Sequence, residues 1–409
     1  MMPSRPSRST GHMPPLHLVL ALGVSMSAAC GARDTPQGIA ANVPTTIHAR
    51  SAYDAIPVLD LVPTRPACVV DVLDCSPGGE VKAVVGSEGR LLVWSLDRPL
   101  HEIAGEGSPA KVVGRVGGGP GEYRMIMAAG FSRSGELLAF DPAQQRLLRY
   151  DCSGSPVATS QVVLPPGFID ASFVGGELRA LAVDKAGGSG APDSASVRVF
   201  VLEPDGKKPR RLFTLPVRQR AWALTDMRPV PGLFAATPQW QLLADGQVLY
   251  SAATAILVHR YDESGAPVLH VGFDAQPREV TKDEAERSLE VVLRQAPNAQ
   301  MRDAMRASQA GRVAERQPAI TALRQLENGQ IWMREAPRAA GDSVRWLVLD
   351  SAGTPVGSVM LDTESRVLTA ADGLILVSQP GAVDPSESLV WMRVASSVGS
   401  TAGAGSGGQ

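Results

Sequence analysis

The residues able to do chemistry in this chain are few and scattered. Of six histidines, His12, His17 and His48 lie toward the N-terminus, and His101, His259 and His270 are spread through the body. His101-Glu102 opens like a zinc-protease HExxH. Gly105 stands where the second histidine ligand would have to be, so that motif is incomplete. Gly117, Gly118, Gly119 and Gly121 could bring backbone N–H groups up to an anion, but no Gly-Lys-Ser/Thr follows and the spacing does not fit GxGxxG. No GxSxG elbow is present. The four cysteines, Cys30, Cys68, Cys75 and Cys152, contain no CxxC, which excludes a zinc ribbon or a thioredoxin-like site. No catalytic residue, metal ligand or cofactor is therefore assigned. A formal net charge of −2 supplies no basic excess to displace counterions from nucleic acid, so nucleic acid is not an expected partner.

The elements that must position any site come from a repeat. A turn ending in glycine leads into an apolar strand, and a second apolar strand follows. In the clearest copies that second strand ends in an aspartate and a Ser-Gly or Ala-Gly turn. The best copy runs from Gly135 through ELLAF and RLLRYD to Gly154; the next runs from Gly246 through VLYS and ILVHRYD to Gly265. In both, the two glycines are 19 residues apart. The leading glycines fall at 89, 135, 176, 246, 329 and 373. Their short separations of 41 to 46 residues match one four-stranded blade, and the longer two require insertions. One small sheet cannot bury both faces alone, whereas several arranged radially can. The expected fold is all-β: a six-bladed β-propeller of four-stranded antiparallel sheets over residues 56–396. VLDLV at 58–62 is expected to supply the missing strand of the last blade, closing the ring and removing a sheet edge. Residues 281–312 read differently. They are rich in Glu, Arg, Ala and Leu, Thr281 can cap a helix with Asp283 and Glu284 in its first turn, and Leu289, Val292 and Leu293 form an apolar strip. Two short helices broken at Pro297 are expected, either as a packed helical loop or as a lid or docking surface.

The N-terminus reads as an address. Arg5 and Arg8 precede an apolar stretch of ~11 residues, too short to span a bilayer but right for a signal peptide. Small residues lead to Cys30, and SAAC resembles a bacterial lipobox, with Ser27 where an aliphatic residue is usual. A lipid on Cys30 would tether the protein to a membrane. The alternative is ordinary secretion after cleavage near Ala29. Residues 31–55 read as a flexible tether and 397–409 as a disordered Gly/Ser-rich tail. Cys68 and Cys75 are close enough in sequence for a disulfide in an oxidising compartment, subject to geometry. Cys152 reads as a small residue in a blade.

Gly114 to Arg124, GRVGGGPGEYR, resembles the hallmark of six-bladed, NHL-like β-propeller lipoproteins of environmental bacteria, carried here by Gly117, Gly119, Pro120, Gly121, Glu122 and Tyr123. The blade that follows resembles theirs at Asp141, Arg146, Tyr150, Asp151 and Gly154. The resemblance implies a propeller, an envelope location and a generic binding role, with an unidentified protein or glycan as partner; a monomer is expected. Read from the residues alone, the loop is structural: glycines give turn freedom, Pro120 fixes one φ, Glu122 can accept N–H bonds from a neighbouring loop, and Arg146 can meet Asp141 or Asp151. The alternative function is a metal-dependent propeller hydrolase or lyase. That chemistry needs Glu, Asp, Asn or His converging on the central channel, and the strands taken as inner, LLAF and VLYS, are apolar.

Overall fold

Apolar runs that are buried over their whole length explain themselves once the sheets are seen edge to edge. The second strand of blade 2, Leu137–Asp141, turns Leu137 and Ala139 toward blade 1 and Phe140 toward blade 3. Alternate residues of one strand thus fill two different cores, and no position is left for a solvent-facing side chain.

The computed structural model describes residues 43, 45–66, 81–96, 98–105, 108–183, 195–219, 233–294, 296, 298–309, 313–337, 343–380 and 387–395. Cys30, Cys68, Cys75, the signal segment and the 397–409 tail lie outside the described residues. Blade 1 comprises Lys82–Val85, Leu91–Ser95, Arg98–Ile103 and Lys111–Val113. Blade 2 comprises Ala128–Phe131, Leu137–Asp141, Arg146–Tyr150 and Pro156–Gln161. Blade 3 comprises Phe168–Val174, Glu177–Val183, Ala195–Val201 and Arg210–Gln219. Blade 4 comprises Gln239–Leu242, Val248–Ser251, Leu257–Tyr261 and Pro267–Phe273. Blade 5 comprises Ile320–Gln325, Ile331–Glu335, Ser343–Leu349 and Pro355–Asp362. Blade 6 comprises Arg366–Ala371, Leu374–Pro380 and Glu387–Ala395, completed by Asp60–Pro66 from the other end of the chain.

This is a six-bladed β-propeller. Six apolar clusters sit one at each junction between neighbouring blades, including the junction of blade 6 with blade 1, where Leu376 and Leu389 pack on Leu91 and Val93. The ring is closed by chain ends that never touch in sequence: Asp60–Pro66 pairs antiparallel with Glu387–Ala395, as the stray VLDLV strand predicts. Trp332 and Trp346, both fully buried, fill the junction of blades 5 and 6. The first strands meet one another around the axis.

The strict up-and-down order sorts the connections onto two faces. Turns between first and second strands and between third and fourth strands fall on one, here the turn face. Second-to-third connections and blade-to-blade crossovers fall on the other, the loop face. All six leading glycines sit in first-to-second turns with φ between 72° and 89°, a region open to glycine and costly for other residues.

Two readings are corrected. LLAF and VLYS are second strands, so they say nothing about the axis; the first strands line it. Residues 45–54 are also not a tether. Thr45–His48 pairs in parallel with the outer strand of blade 4, giving that sheet a fifth strand, and helix α1 (Arg50–Asp54) follows with Tyr53 buried. The reason is edge chemistry: the outer strand of blade 4 offers unpaired N–H and C=O groups, which any extended segment can satisfy without an apolar pattern of its own. The chain then bridges to blade 5, where Ser358 donates its N–H to Pro57 O and accepts from Leu59 N, each at 2.7 Å. A Cβ on Gly357 would lie 2.4 Å from the Leu59 side chain, so the crossing needs glycine there.

Candidate functional site

Three places on or near the loop face gather polar side chains. The first is the glycine-rich crossover from blade 1 to blade 2. Arg115–Val116 and Glu122–Tyr123 form a short parallel pair, and the turn between them folds over the Glu122 carboxylate. Gly119 N–H donates to Glu122 Oε2 at 2.7 Å, and Arg115 pairs with the other oxygen. The Gly119 bond, with Arg115 behind it, holds this carboxyl below its ordinary range. Glu122 thus accepts from its own loop and not from a neighbouring one. A Cβ on Gly117 would collide with that carboxylate, and one on Gly121 (φ 70°) would stand 2.4 Å from Pro156. Tyr123 is buried, accepts Leu100 N–H at 2.9 Å and donates to Val113 O at 3.0 Å. Asp141 takes Arg124 N–H at 2.6 Å and the side-chain amide of Gln144 at 2.8 Å. Arg146 meets neither Asp141 nor Asp151 through its side chain: its guanidinium donates to the Gly118 and Gly119 carbonyls at 3.0 and 3.2 Å. Asp151 and Gly154 are on the opposite face, in the third-to-fourth turn of blade 2, with Cys152 exposed as a free thiol. The motif residues therefore clip two blades together, and their polar groups are spent on one another.

The second place is the axis. Lys82 of blade 1 reaches Asp170 of blade 3 at 3.8 Å and donates to Met127 O at 3.4 Å. The Gln241 side-chain amide bridges to the Gln325 backbone between blades 4 and 5, its Nε2 donating to Gln325 O at 3.1 Å and its Oε1 accepting Gln325 N–H at 2.6 Å. Arg366 donates to the Thr363 and Ser365 carbonyls, both at 2.9 Å. Among the described residues, no group of three or more His, Cys, Asp or Glu side chains stands close enough to hold a metal ion. His101 and Glu102 are in the third strand of blade 1, where His101 Nδ1 lies 2.9 Å from Pro99 O and Glu102 accepts Arg90 Nε–H at 2.7 Å. His259 and His270 are directly opposed on adjacent strands of blade 4, with ring centroids 4.5 Å apart beside Tyr250 and Tyr261. Burial, helped by His270, pushes His259 down to about 4.

The third place was not visible in the sequence. A cleft of about 190 Å³ opens on the loop face between blades 4 and 5. Its polar centre is Glu335, the last residue of the second strand of blade 5, 5% exposed and accepting the Tyr53 hydroxyl at 2.5 Å. Tyr53 comes from helix α1, its ring edge-on to Phe273 and flanked by the guanidiniums of Arg50 and Arg345 at 5.1 and 4.8 Å. Ile256, Pro277 and Pro318 supply apolar wall. Arg278 and Gln317 line the other side, and both are held by Glu284. Arg278 gives it two bonds of 2.9 and 2.6 Å, and Gln317 Nε2 donates at 2.7 Å. The Arg278 pair holds the Glu284 carboxyl below its usual range and raises the guanidinium.

Glu284 is placed by the insertion. Helices α2 (Lys282–Arg294) and α3 (Ala299–Gln309) form the expected hairpin, with Leu293 buried beneath it. Thr281 and Glu284 cap the first helix reciprocally: Thr281 Oγ1 accepts Glu284 N–H at 3.3 Å, and the Glu284 carboxylate accepts Thr281 N–H at 3.4 Å. The same carboxylate reaches across to Arg278 and Gln317, on the two legs of the short stem through which the hairpin leaves and rejoins the ring. A Thr-x-x-Glu signature was readable as a cap; its second task was not.

No family model matches the chain, and no curated protein matches it. Solved structures do. A candidate exported protein of Bacteroides fragilis aligns at TM-score 0.46 and 11% identity, covering 86% of this chain and 99% of that one. A member of the DUF4221 family from Bacteroides vulgatus aligns at 0.45 and 9%, covering 83% and 99%. A virginiamycin B lyase from Staphylococcus aureus aligns at 0.41 and 10%, covering 82% and 99%. At such identities only the general fold is at issue, and that is settled by the chain's own six sheets and six junction cores: it is a six-bladed β-propeller.

Proposed function

We propose that this chain is an exported binding module, held at the cell envelope by a lipid on Cys30, which takes a glycan or protein ligand on its loop face. The single observation behind this reading is the cleft between blades 4 and 5. It combines a buried carboxylate, apolar walls and guanidiniums at its rim, the mixture that small recognition sites use. The axis supports a binding role less well, because Lys82 and Gln241 there are already bonded across the blades and Arg366 is bonded within its own. No helix among the described residues is long and apolar enough to cross a membrane.

Two experiments test the reading. Cys30→Ala is expected to move the protein from the membrane fraction to the soluble one; an unchanged partition contradicts the lipid anchor. Binding of the full chain to isolated cell walls and membranes is then compared in two variants of the same blade, Ala336→Trp at the cleft and Ala352→Trp in an exposed turn on the opposite face. The first is expected to weaken binding by at least about tenfold and the second to leave it unchanged. Equal effects, or the reverse order, contradict loop-face binding. Chelator-sensitive turnover of a lactone or streptogramin substrate would favour the propeller-enzyme alternative instead.

A further inference from the structure

We propose that the cleft between blades 4 and 5 is a subsite for one neutral sugar ring, the terminal hexose of an envelope glycan; this rests on the loop-face binding reading above. Size comes first. At about 190 Å³ the cleft is below the ~300–1,000 Å³ of sites for larger organic ligands. That space suits a single pyranose.

Charge then selects among small ligands. Among the described residues, the charged groups lining the cleft are the Arg50 and Arg278 guanidiniums and the Glu335 carboxylate. Arg50 is bonded to Asp54 at 3.0 Å and Arg278 to Glu284 at 2.6 Å, while Arg345 lies over the ring of Tyr53, the residue that bonds Glu335. A charged ligand would have to lie against a like charge, an anion against the buried Glu335 carboxylate and a cation against the Arg50 and Arg278 guanidiniums. A neutral polyol need not. Its hydroxyls donate to carboxylate oxygens and accept from guanidinium and amide N–H groups while the ion pairs stay closed.

The walls complete the case. A pyranose carries polar groups on its rim and C–H groups on its faces. The cleft has Glu335 and Gln317 as its hydrogen-bonding floor and side, and Ile256, Pro277 and Pro318 as surface for a C–H face. Glu335 is also well placed for specificity. Its orientation is fixed by Tyr53, so a ring whose hydroxyl points the wrong way cannot donate to it and gains nothing for the water it displaces.

Saturation-transfer NMR on the full chain tests this, with D-glucose, D-galactose, D-mannose and N-acetylglucosamine as probes, and glycine, glutamate and dialanine as the charged arm. Transfer to at least one sugar is expected, together with loss of at least about tenfold in affinity in Glu335→Gln. The amide oxygen introduced by that substitution can still accept the Tyr53 hydroxyl, so the fold should hold, and an unchanged melting temperature checks it. Ala336→Trp, which narrows the mouth without touching a polar group, should remove the transfer as well. No transfer to any sugar overturns the proposal. Transfer to the amino acids alone, abolished by Ala336→Trp, overturns the sugar class while leaving loop-face binding standing. Sugar transfer that survives both variants overturns the cleft as its site.

Discussion

On the turn face of the propeller the chain reverses direction within a few residues; on the loop face it runs through a glycine-rich crossover, a helical hairpin and a cleft. The turn face repeats one device. In blades 2, 4 and 5 an aspartate directly follows the third strand, and its Oδ1 accepts two backbone N–H groups of the turn: Asp151 from Ser153 and Ser155, Asp262 from Ser264 and Ala266, and Asp350 from Ala352 and Thr354, all at 2.8 or 2.9 Å. In each the following glycine, Gly154, Gly265 or Gly353, takes φ between 74° and 86°. Such turns are closed by residues within five positions of one another. Loop-face geometry depends instead on partners far away in sequence. Tyr53 meets Glu335 across 282 positions, and Glu284 meets Gln317 across 33. Local chemistry repeats and is buffered by its copies, whereas long-range contacts are single and can be specialised.

That contrast can be broken or sharpened by substitution. The largest effect is expected in the crossover from blade 1 to blade 2. Gly121→Ala puts a Cβ against Pro156 in a left-handed backbone and should cost about 3 kcal/mol or more in denaturant unfolding. The matching change on the turn face, Gly373→Ala, meets nothing within 4 Å and should cost only the left-handed backbone penalty, about 1–2 kcal/mol. Equal losses would contradict the contrast.

Acid gives the next effect, and it comes from between the faces. His259 is pushed down to about 4 in the fold, below its ordinary 6.5. The unfolded chain therefore takes up the proton first. Stability is fully present above about pH 6.5 and falls as pH drops toward 4, by about 3 kcal/mol. His259→Phe should flatten that part of a stability–pH curve; an unchanged slope contradicts the assignment.

Turn aspartates come next. Asp262→Ala and Asp350→Ala should each cost about 1 kcal/mol and add in the double variant, because the turns are separate. The Ser264 hydroxyl, with backbone N–H groups, holds the Asp262 carboxyl below its usual range. Its contribution is thus present above the unfolded aspartate range and is lost as pH falls through the lower folded value. The smallest effect is expected of Cys152→Ser, an exposed thiol whose removal should change stability by less than about 0.5 kcal/mol.

The same division explains what could be read from the residues. The six leading glycines, the Asp-x-x-Gly turns and the capped helix were legible because each is a local device with a fixed spacing. Closure by 58–62 was legible because a lone apolar strand needs a sheet. The third strand of blade 1, Arg98–Ile103, was missed: Pro99 and the polar residues His101 and Glu102 break its apolar pattern, and pairing with Leu91–Ser95 supplies the order instead. Thr45–His48 was missed because an edge strand needs only backbone groups. The cleft was illegible for a stronger reason. Tyr53, Glu284, Gln317 and Glu335 are ordinary residues in four unrelated segments, and only the ring brings them together. The GGGPGEY segment was conspicuous, yet its groups are spent on holding blades 1 and 2.

Hydrogen–deuterium exchange on the full chain, with and without a purified envelope glycan at saturating concentration, tests the central claim most directly. The account predicts slowed exchange in residues 50–56, 276–280 and 315–319 and at the end of the second strand of blade 5, with no change in the turns at 151–155, 262–266 and 350–354. Protection confined to those turns, or to the first strands around the axis, would contradict it.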